Sequence, residues 1–366
     1  MVMVLSALAL LALAGIAGLT VDGLRAIGRR RRAENAKKPH PLRVAKRHEV
    51  AGELLCLELA DPRGKPLPAF RAGQHLLLTA PAGKNGQPIR RAYSLAAWAA
   101  KPGCYELGIK REDRGAMTQW LWQHAQPGSS IEASPAQGDF VVRAGSGTLV
   151  LIGGGIGITP MRAMLHEALG SGRTIVLFHA ARTAESLLFQ EEFTALAAQH
   201  GQFAYRPILS RPAGEWTGDR GRLDAGRIVA AVPLPDSADF YLCAGNAMMD
   251  SLRHGLLALG IADSRLHSEA FGAATGSGRS GLNLAIRQAG TTRTLVTAGE
   301  PTVLAALEAN DLAPAAECRA GNCGQCVAHL EDGEVDWLVK PEFSVGPQQF
   351  LPCVCAARSD LNIALP

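Results

Sequence analysis

Cys318, Cys323 and Cys326 share one short loop, CRAGNCGQC, and Cys353 and Cys355 follow 27 and 29 residues after Cys326. The spacing C-x4-C-x2-C…C is the one by which four thiolates hold a plant-type [2Fe–2S] cluster. Zinc sites favour paired C-x2-C steps over an asymmetric triple. Gly321 and Gly324 let the loop turn its amides inward, toward a buried sulfide-rich object. The loop therefore calls for a small domain wrapped around a metal centre. Its fourth ligand stays open between Cys353 and Cys355. Cys56 and Cys104 fall in apolar runs and read as small core residues.

The remaining text suggests several further domains, as 366 residues would. Residues 42–146 are short alternating apolar runs broken by Pro and Gly, such as Leu54–Leu59 and His75–Thr79. That pattern predicts an antiparallel β-barrel with one helical insert over Met117–His124. From 147 to 272 the text alternates strand and helix, which predicts an α/β domain with a parallel sheet. Its strands are expected at Leu149–Ile152, Thr174–His179 and Phe240–Cys243, and its helices at Met161–Leu169, Glu185–Ala198 and Met248–Gly260. Residues 273–281 have a linker's composition. Residues 282–366 form the Cys-rich domain, with short strands and a helix near Thr302–Asn310.

Residues 1–21 carry no charged side chain and no His. As a helix at about 1.5 Å per residue they span roughly 31 Å, close to the thickness of a bilayer's hydrocarbon core. Arg25, Arg29, Arg30, Arg31, Arg32, Lys37 and Lys38 follow the apolar run, whereas a cleavable signal peptide places its charge before it. Residues 1–24 are thus expected to be a single-pass transmembrane anchor and 25–41 a basic linker. The positive-inside rule then puts the catalytic domains on the cytoplasmic side of the inner membrane.

The net charge of +4 divides unevenly along the chain. Residues 22–50 hold ten Lys/Arg against three Asp/Glu, whereas residues 282–366 hold five against ten. The basicity belongs to the membrane-flanking segment, and nucleic-acid binding is excluded as a reading of it. The acidic run Glu331-Asp332-Gly333-Glu334-Val335-Asp336 predicts a partner with a basic docking face.

Arg91 and Tyr93 stand two apart in RRAYSL, so a strand shows both on one face. The guanidinium suits a phosphate, the ring can lie on a flavin, and the Ser94 hydroxyl can reach its edge. Arg114-Gly115-Ala116-Met117-Thr118 opens a helix whose free amides suit a phosphate. Gly153-Gly154-Gly155-Ile156-Gly157-Ile158-Thr159-Pro160 turns from a strand into a helix, as at a pyrophosphate site. Cys243 and Gly245 end the domain's last strand before its C-terminal helix, and His267-Ser268-Glu269-Ala270-Phe271 closes the domain.

In this order, RxYS, GIGITP, CAGxxM, ExF and C-x4-C-x2-C…C resemble the ferredoxin–NADP reductase-like family. The resemblance covers about residues 42–366 and is to the subgroup with a C-terminal plant-type ferredoxin domain, the phthalate dioxygenase reductase type. It implies a multidomain fold: a flavin-binding antiparallel β-barrel, a nucleotide-binding α/β domain and an α+β (β-grasp) ferredoxin domain, to which the N-terminal transmembrane helix is extra. It implies that Arg91, Tyr93, Ser94, Gly115 and Thr118 bind the flavin, with Phe271 at its ring. Gly154, Gly155, Gly157, Thr159 and Gly245 would hold the nicotinamide nucleotide. Cys243, Glu269 and Ser94 would be the catalytic positions, and Cys318, Cys323, Cys326 and Cys353 the iron ligands. Gly115-Ala116-Met117-Thr118 departs from the family's Gly-Gly-x-x-Ser/Thr, so FAD is expected with FMN as the alternative. Arg182, Ser210 and Arg211 suit a 2′-phosphate, yet Ser-Arg-Pro also resembles NADH users, which leaves NADPH or NADH.

The function so implied is electron transfer from NAD(P)H through flavin and [2Fe–2S] cluster to a separate protein acceptor: an oxygenase, desaturase, hydroxylase or hybrid-cluster protein. The rival expectations are a membrane-anchored redox sensor or scaffold built on the same cofactors, and a zinc-binding interaction module.

Overall fold

The computed structural model describes residues 39–366 apart from 51, 84–85, 87, 113–114, 271–277, 313, 315, 322, 340 and 342. The expected anchor over 1–24, most of the basic linker, Arg114 and Phe271 lie outside the described residues. Among the described residues no helix is long and apolar enough to cross a membrane.

The first domain is the predicted barrel. Strands β1 (His40–Val50), β2 (Leu54–Ala60), β3 (His75–Ala80), β4 (Ile89–Ser94), β5 (Tyr105–Lys110) and β6 (Ser130–Ala133) form one antiparallel sheet in the order β4-β3-β6-β1-β2-β5. A bridge between Leu95 and Leu107, beside an Ala96 N–H to Glu106 C=O bond of 2.8 Å, joins the two edges. Alternation does the work here, since β2 points Leu55, Leu57 and Leu59 into a core with Leu76, Leu78 and Tyr105. Helix α1 (Ala116–His124) lies between β5 and β6, as expected.

The second domain has a six-stranded parallel sheet. Its strands are β7 (Leu149–Gly154), β8 (Ile175–Ala181), β9 (Phe203–Leu209), β10 (Asp219–Arg220), β11 (Asp239–Ala244) and β12 (Leu266–Ala270), in the order β10-β9-β8-β7-β11-β12. Every residue of β11 is buried, as befits a strand covered on both faces. The covering helices are α2 (Ile158–Ala168), α3 (Gln190–Gln199), α4 (Ala225–Ala231) and α5 (Asn246–Ala258). The strand order reverses between β7 and β11, which creates a crevice at their carboxyl ends. The helix expected from Glu185 begins only at Gln190. Thr183 and Ser186 close a separate short turn, and Phe189 then takes a left-handed φ of 61° that interrupts the helix.

The barrel and this sheet are tied by charge as well as packing. Arg162 of α2 donates from Nε to both carboxylate oxygens of Glu192, and from Nη1 to Glu106 Oε2 at 2.8 Å and to the carbonyl of Ala96 at 3.1 Å.

The third domain has the β-grasp arrangement. Strands β13 (Ser280–Gln288) and β14 (Thr291–Ala298) form a hairpin, after which helix α6 (Val303–Ala309) crosses the sheet. The Thr302 hydroxyl accepts from Ala305 N–H and so caps that helix. Next come β15 (Ala328–Asp332), β16 (Val335–Trp337), β17 (Gln349–Phe350), β18 (Cys355–Ala357) and β19 (Leu361–Ala364). The main sheet runs β14-β13-β19-β15-β17, with β13 and β19 parallel, while β16 and β18 pair separately.

Candidate functional site

One cavity of about 890 Å3 is walled by all three domains. The barrel supplies Arg91, Tyr93 and Ser94 from β4, with Gly115 and Thr118 from the start of α1. Tyr93 is partly exposed to the cavity, and burial pushes its phenol above the usual value. Arg91 donates from Nη1 to the carbonyl of Arg90 at 2.8 Å. Burial lowers its pKa, and the like charge of Arg319 adds to that. The Thr118 hydroxyl closes its own turn, accepting from Glu112 N–H at 3.2 Å and donating to Gly115 C=O at 3.0 Å.

The second domain contributes Glu269 to the same wall. Ser94 Oγ donates to Glu269 Oε2 at 3.1 Å across the domain boundary. His75 Nδ1 stands 3.8 Å from Glu269 Oε1, beyond hydrogen-bond reach, and is buried with no other partner among the described residues. Burial pushes this imidazole down to about 4, so it is neutral near pH 7. Gly138 packs on its ring, where an added Cβ would approach Nδ1 to 2.9 Å. The cavity offers an aromatic face, a guanidinium with no carboxylate within ion-pair distance among the described residues, and a helix start. This donor set fits a flavin with its phosphate.

The glycine turn lies at the crevice where the strand order reverses. An added Cβ on Gly157 would stand 1.9 Å from the carbonyl oxygen of Cys243, so only glycine allows α2 to start this close to β11. Gly154 likewise abuts Ala244 and Met248, and Gly155 takes a φ of 57°. Thr159 is buried and donates its hydroxyl to Ile156 C=O at 2.9 Å. Gly245 precedes α5 and faces open space.

Cys243 and Glu269 are register partners on β11 and β12. The Cys243 side chain packs with Leu151, Ile158 and Tyr241 and lies outside the cavity lining, because β11 is covered on both faces. Burial first, and the Glu269 charge second, hold this thiol well above its ordinary pKa. Arg182, Ser210 and Arg211 meet at the carboxyl edge of β8 and β9. All three are exposed, and Arg211 N–H donates to Arg182 C=O at 2.8 Å.

In the third domain the four predicted thiols gather in two pairs. Cys326 Sγ lies 3.2 Å from Cys353 Sγ. Cys318 Sγ accepts from the N–H of Cys323 at 3.3 Å and of Ala320 at 3.5 Å. Gly321 and Gly324 adopt φ of 79° and 70°, and an added Cβ on Gly324 would strike the Phe343 ring. Among the described residues no three His, Cys, Asp or Glu are grouped as ligands of one metal ion. Two thiol pairs with inward amides fit a two-iron cluster, in which each iron takes two cysteines. Cys353 lies in the short turn Pro352–Val354 and Cys355 opens β18, so Cys353 packs with Cys326 and Leu351 while Cys355 joins the main core beside Leu284 and Ile363.

Cys318 and Cys323 also line the large cavity. Three features were not evident from sequence: His75 and Arg319 in the cavity wall, and the ion pair of 2.7 Å by which Arg90 holds the lining residue Glu317. The Gln-His step of Gly73-Gln74-His75 held the available signal for the first.

Comparison with known proteins matches each domain separately. Residues 41–142 match the oxidoreductase FAD-binding domain, 151–254 the oxidoreductase NAD-binding domain and 286–358 the 2Fe-2S iron-sulfur cluster binding domain. The chain is 33% identical over 233 residues to a flavohemoprotein of Pseudomonas aeruginosa, covering 63% of this chain and 58% of that protein's length. It is 26% identical over 331 residues to phthalate dioxygenase reductase of Burkholderia cepacia, covering 87% and 94% respectively. A solved phthalate dioxygenase reductase structure shares the fold, with a TM-score of 0.65 at 24% identity over 89% of this chain and 97% of that one. FAD, NAD(P)H and a [2Fe–2S] cluster are thus the cofactors to which these domains correspond. The chain joins, in one polypeptide, segments that match an oxidoreductase FAD-binding, an oxidoreductase NAD-binding and a 2Fe-2S iron-sulfur cluster binding domain.

Proposed function

We propose that the chain takes electrons from NAD(P)H and delivers them, by way of FAD and its own [2Fe–2S] cluster, to a separate oxygenase-type protein acceptor. The observation that carries this reading is the shared cavity, whose wall includes both Tyr93 and Ser94 of the barrel and Cys318 and Cys323 of the cluster loop. When bound, the flavin and cluster supply the step-down from a two-electron donor to one-electron delivery. The protein's part is orientation. Arg91 and the start of α1 hold phosphate, Tyr93 covers one ring face, and the Ser94–Glu269 hydrogen bond fixes polar groups where the nicotinamide would meet the flavin. Gly154 and Gly157 let the turn close onto β11, Gly155 and Gly245 face open space where the dinucleotide would lie, and Arg182 with Arg211 offers charge for a 2′-phosphate.

The acceptor class follows the phthalate dioxygenase reductase relative. A basic face on that acceptor suits the acidic ferredoxin domain, where Glu334 and Asp336 flank Arg358 and Glu331 pairs with Arg287. An apolar stretch at 1–21 followed by the arginine run supports a single-pass anchor that holds these domains at the cytoplasmic face of the inner membrane.

The test is anaerobic reduction of the purified full-length chain. NADH or NADPH should bleach flavin absorption and then raise the electron paramagnetic resonance signal of a reduced [2Fe–2S] cluster within the turnover time. Cys326→Ser should lose that signal and one-electron reduction of cytochrome c while keeping flavin bleaching. Cluster reduction slower than any turnover would favour the sensor reading. Retention of the anchored chain in carbonate-washed membranes tests the location.

A further inference from the structure

Two cationic side chains from different domains face the same cavity. Arg91 comes from β4 of the barrel and Arg319 from the cluster loop. Arg91 has a backbone carbonyl as its acceptor and, among the described residues, no carboxylate within ion-pair distance. Both Nη atoms of Arg319 go to Glu308, while its Nε is buried with no partner among the described residues. Arg319 is near enough to Arg91 to lower its pKa. Glu308 offsets part of the repulsion between the two guanidiniums, and an anion between them turns what remains into two charge-assisted contacts.

The backbone is arranged to keep this meeting. Arg319 takes a φ of 56°, an uncommon conformation for a residue with a side chain, and it directly follows the cluster thiol Cys318. One residue before Arg91 and two before Arg319, Arg90 and Glu317 close an ion pair of 2.7 Å across the domain boundary. The start of α1 lines the same cavity, so free amides are present beside the two guanidiniums.

We propose that Arg319 of the cluster loop joins Arg91 of the barrel in binding a phosphate of the flavin, so that holding the flavin and docking the ferredoxin domain are one event. This rests on the reading of the cavity as the flavin site. The flavin's phosphate thereby becomes the bridge between the barrel and the domain that receives its electrons.

Flavin-depleted full-length protein is titrated with FAD, FMN and riboflavin, followed by flavin fluorescence. Riboflavin shares the ring and lacks the phosphate. Arg319→Ala is expected to weaken FAD and FMN about tenfold, the worth of one charge-assisted bond, and to leave riboflavin unchanged. Arg319→Lys should recover part of the loss. Unchanged FAD and FMN affinity, or an equal loss for riboflavin, overturns the proposal. So does weakened NADP+ binding with FMN unaffected, which would assign the anion to the pyridine nucleotide. If Arg319→Ala does not assemble its iron, as judged by iron content and visible absorption, Glu308→Gln carries the test. Releasing Arg319 from its carboxylate should tighten FMN a few-fold, and unchanged or weaker binding overturns the proposal. A wild-type chain that binds none of the three flavins would instead refute the assignment of the cavity.

Discussion

Arg90 Nη1 and Glu317 Oε1 lie 2.7 Å apart although 227 residues separate them in sequence. Each is the immediate neighbour of a cofactor-site residue, Arg91 on one side and Cys318 on the other. This pair sets the register between the flavin wall and the cluster loop. Glu317→Gln should leave flavin reduction by NAD(P)H unchanged and slow the following cluster reduction roughly fivefold, as expected for loss of about 1 kcal/mol of docking. Rapid-mixing absorbance separates the two phases, and the exchange Arg90→Glu with Glu317→Arg should restore the second. A slowed first phase would argue against the assignment.

Gly157→Ala should be among the most damaging single-methyl changes in the molecule. The new Cβ would meet the Cys243 carbonyl, which belongs to the central strand and cannot move aside cheaply. A loss of about 3 kcal/mol or more is expected. The thermal midpoint should fall, and pyridine-nucleotide affinity should fall with it. Gly245→Ala, in open space, serves as the tolerant control for the thermal midpoint alone.

Cys353→Ser and Cys355→Ser should part company. The first removes a thiol that touches Cys326, and the iron–sulfur absorption should disappear. The second puts a hydroxyl among apolar neighbours, which should cost about 1–3 kcal/mol of stability while the cluster survives. Iron content and urea midpoints distinguish the two outcomes.

Stability should fall in mild acid. Burial depresses His75 to about 4 and His179 to about 3, both from an ordinary value of 6.5. Between those limits the unfolded chain binds more protons than the folded one. The stabilisation is therefore complete above about pH 6.5 and drains away as pH falls toward the folded values. The slope is on the order of 1.4 kcal/mol per pH unit for each histidine. Urea midpoints at pH 7.5 and 5 measure it, and His75→Gln should flatten the dependence.

Local chemistry was legible in the sequence, and encounters between domains were not. The loop of Cys318, Cys323 and Cys326 could be read because ligand spacing along the chain carries it. The turn at Gly153–Gly157 stood out because glycines mark where backbones must nearly touch. The helix near Thr302–Asn310 was legible as a local segment, and the Thr302 hydroxyl caps it. Arg319 and Glu317, by contrast, sit in the very loop that was read most closely, yet their partners Glu308 and Arg90 come from a helix and another domain, and no short-range pattern encodes that. His75 gave no sign of its isolation because burial is a property of the folded barrel. For Cys243 a thiol beside a reacting ring and a buried strand terminus read alike in the sequence, and the covering of β11 on both faces packs its side chain into the core.

The strand order of the ferredoxin domain bears on how the molecule is made. β19, last of all the elements in chain order, is an interior strand that pairs with β13 on one side and β15 on the other. The barrel and the parallel sheet can each complete themselves during synthesis. The cluster-binding domain cannot, because its sheet stays split until β19 arrives between the halves. Closure of the third domain's sheet is thereby a late event in the protein's assembly, completed on a chain whose first two domains already stand.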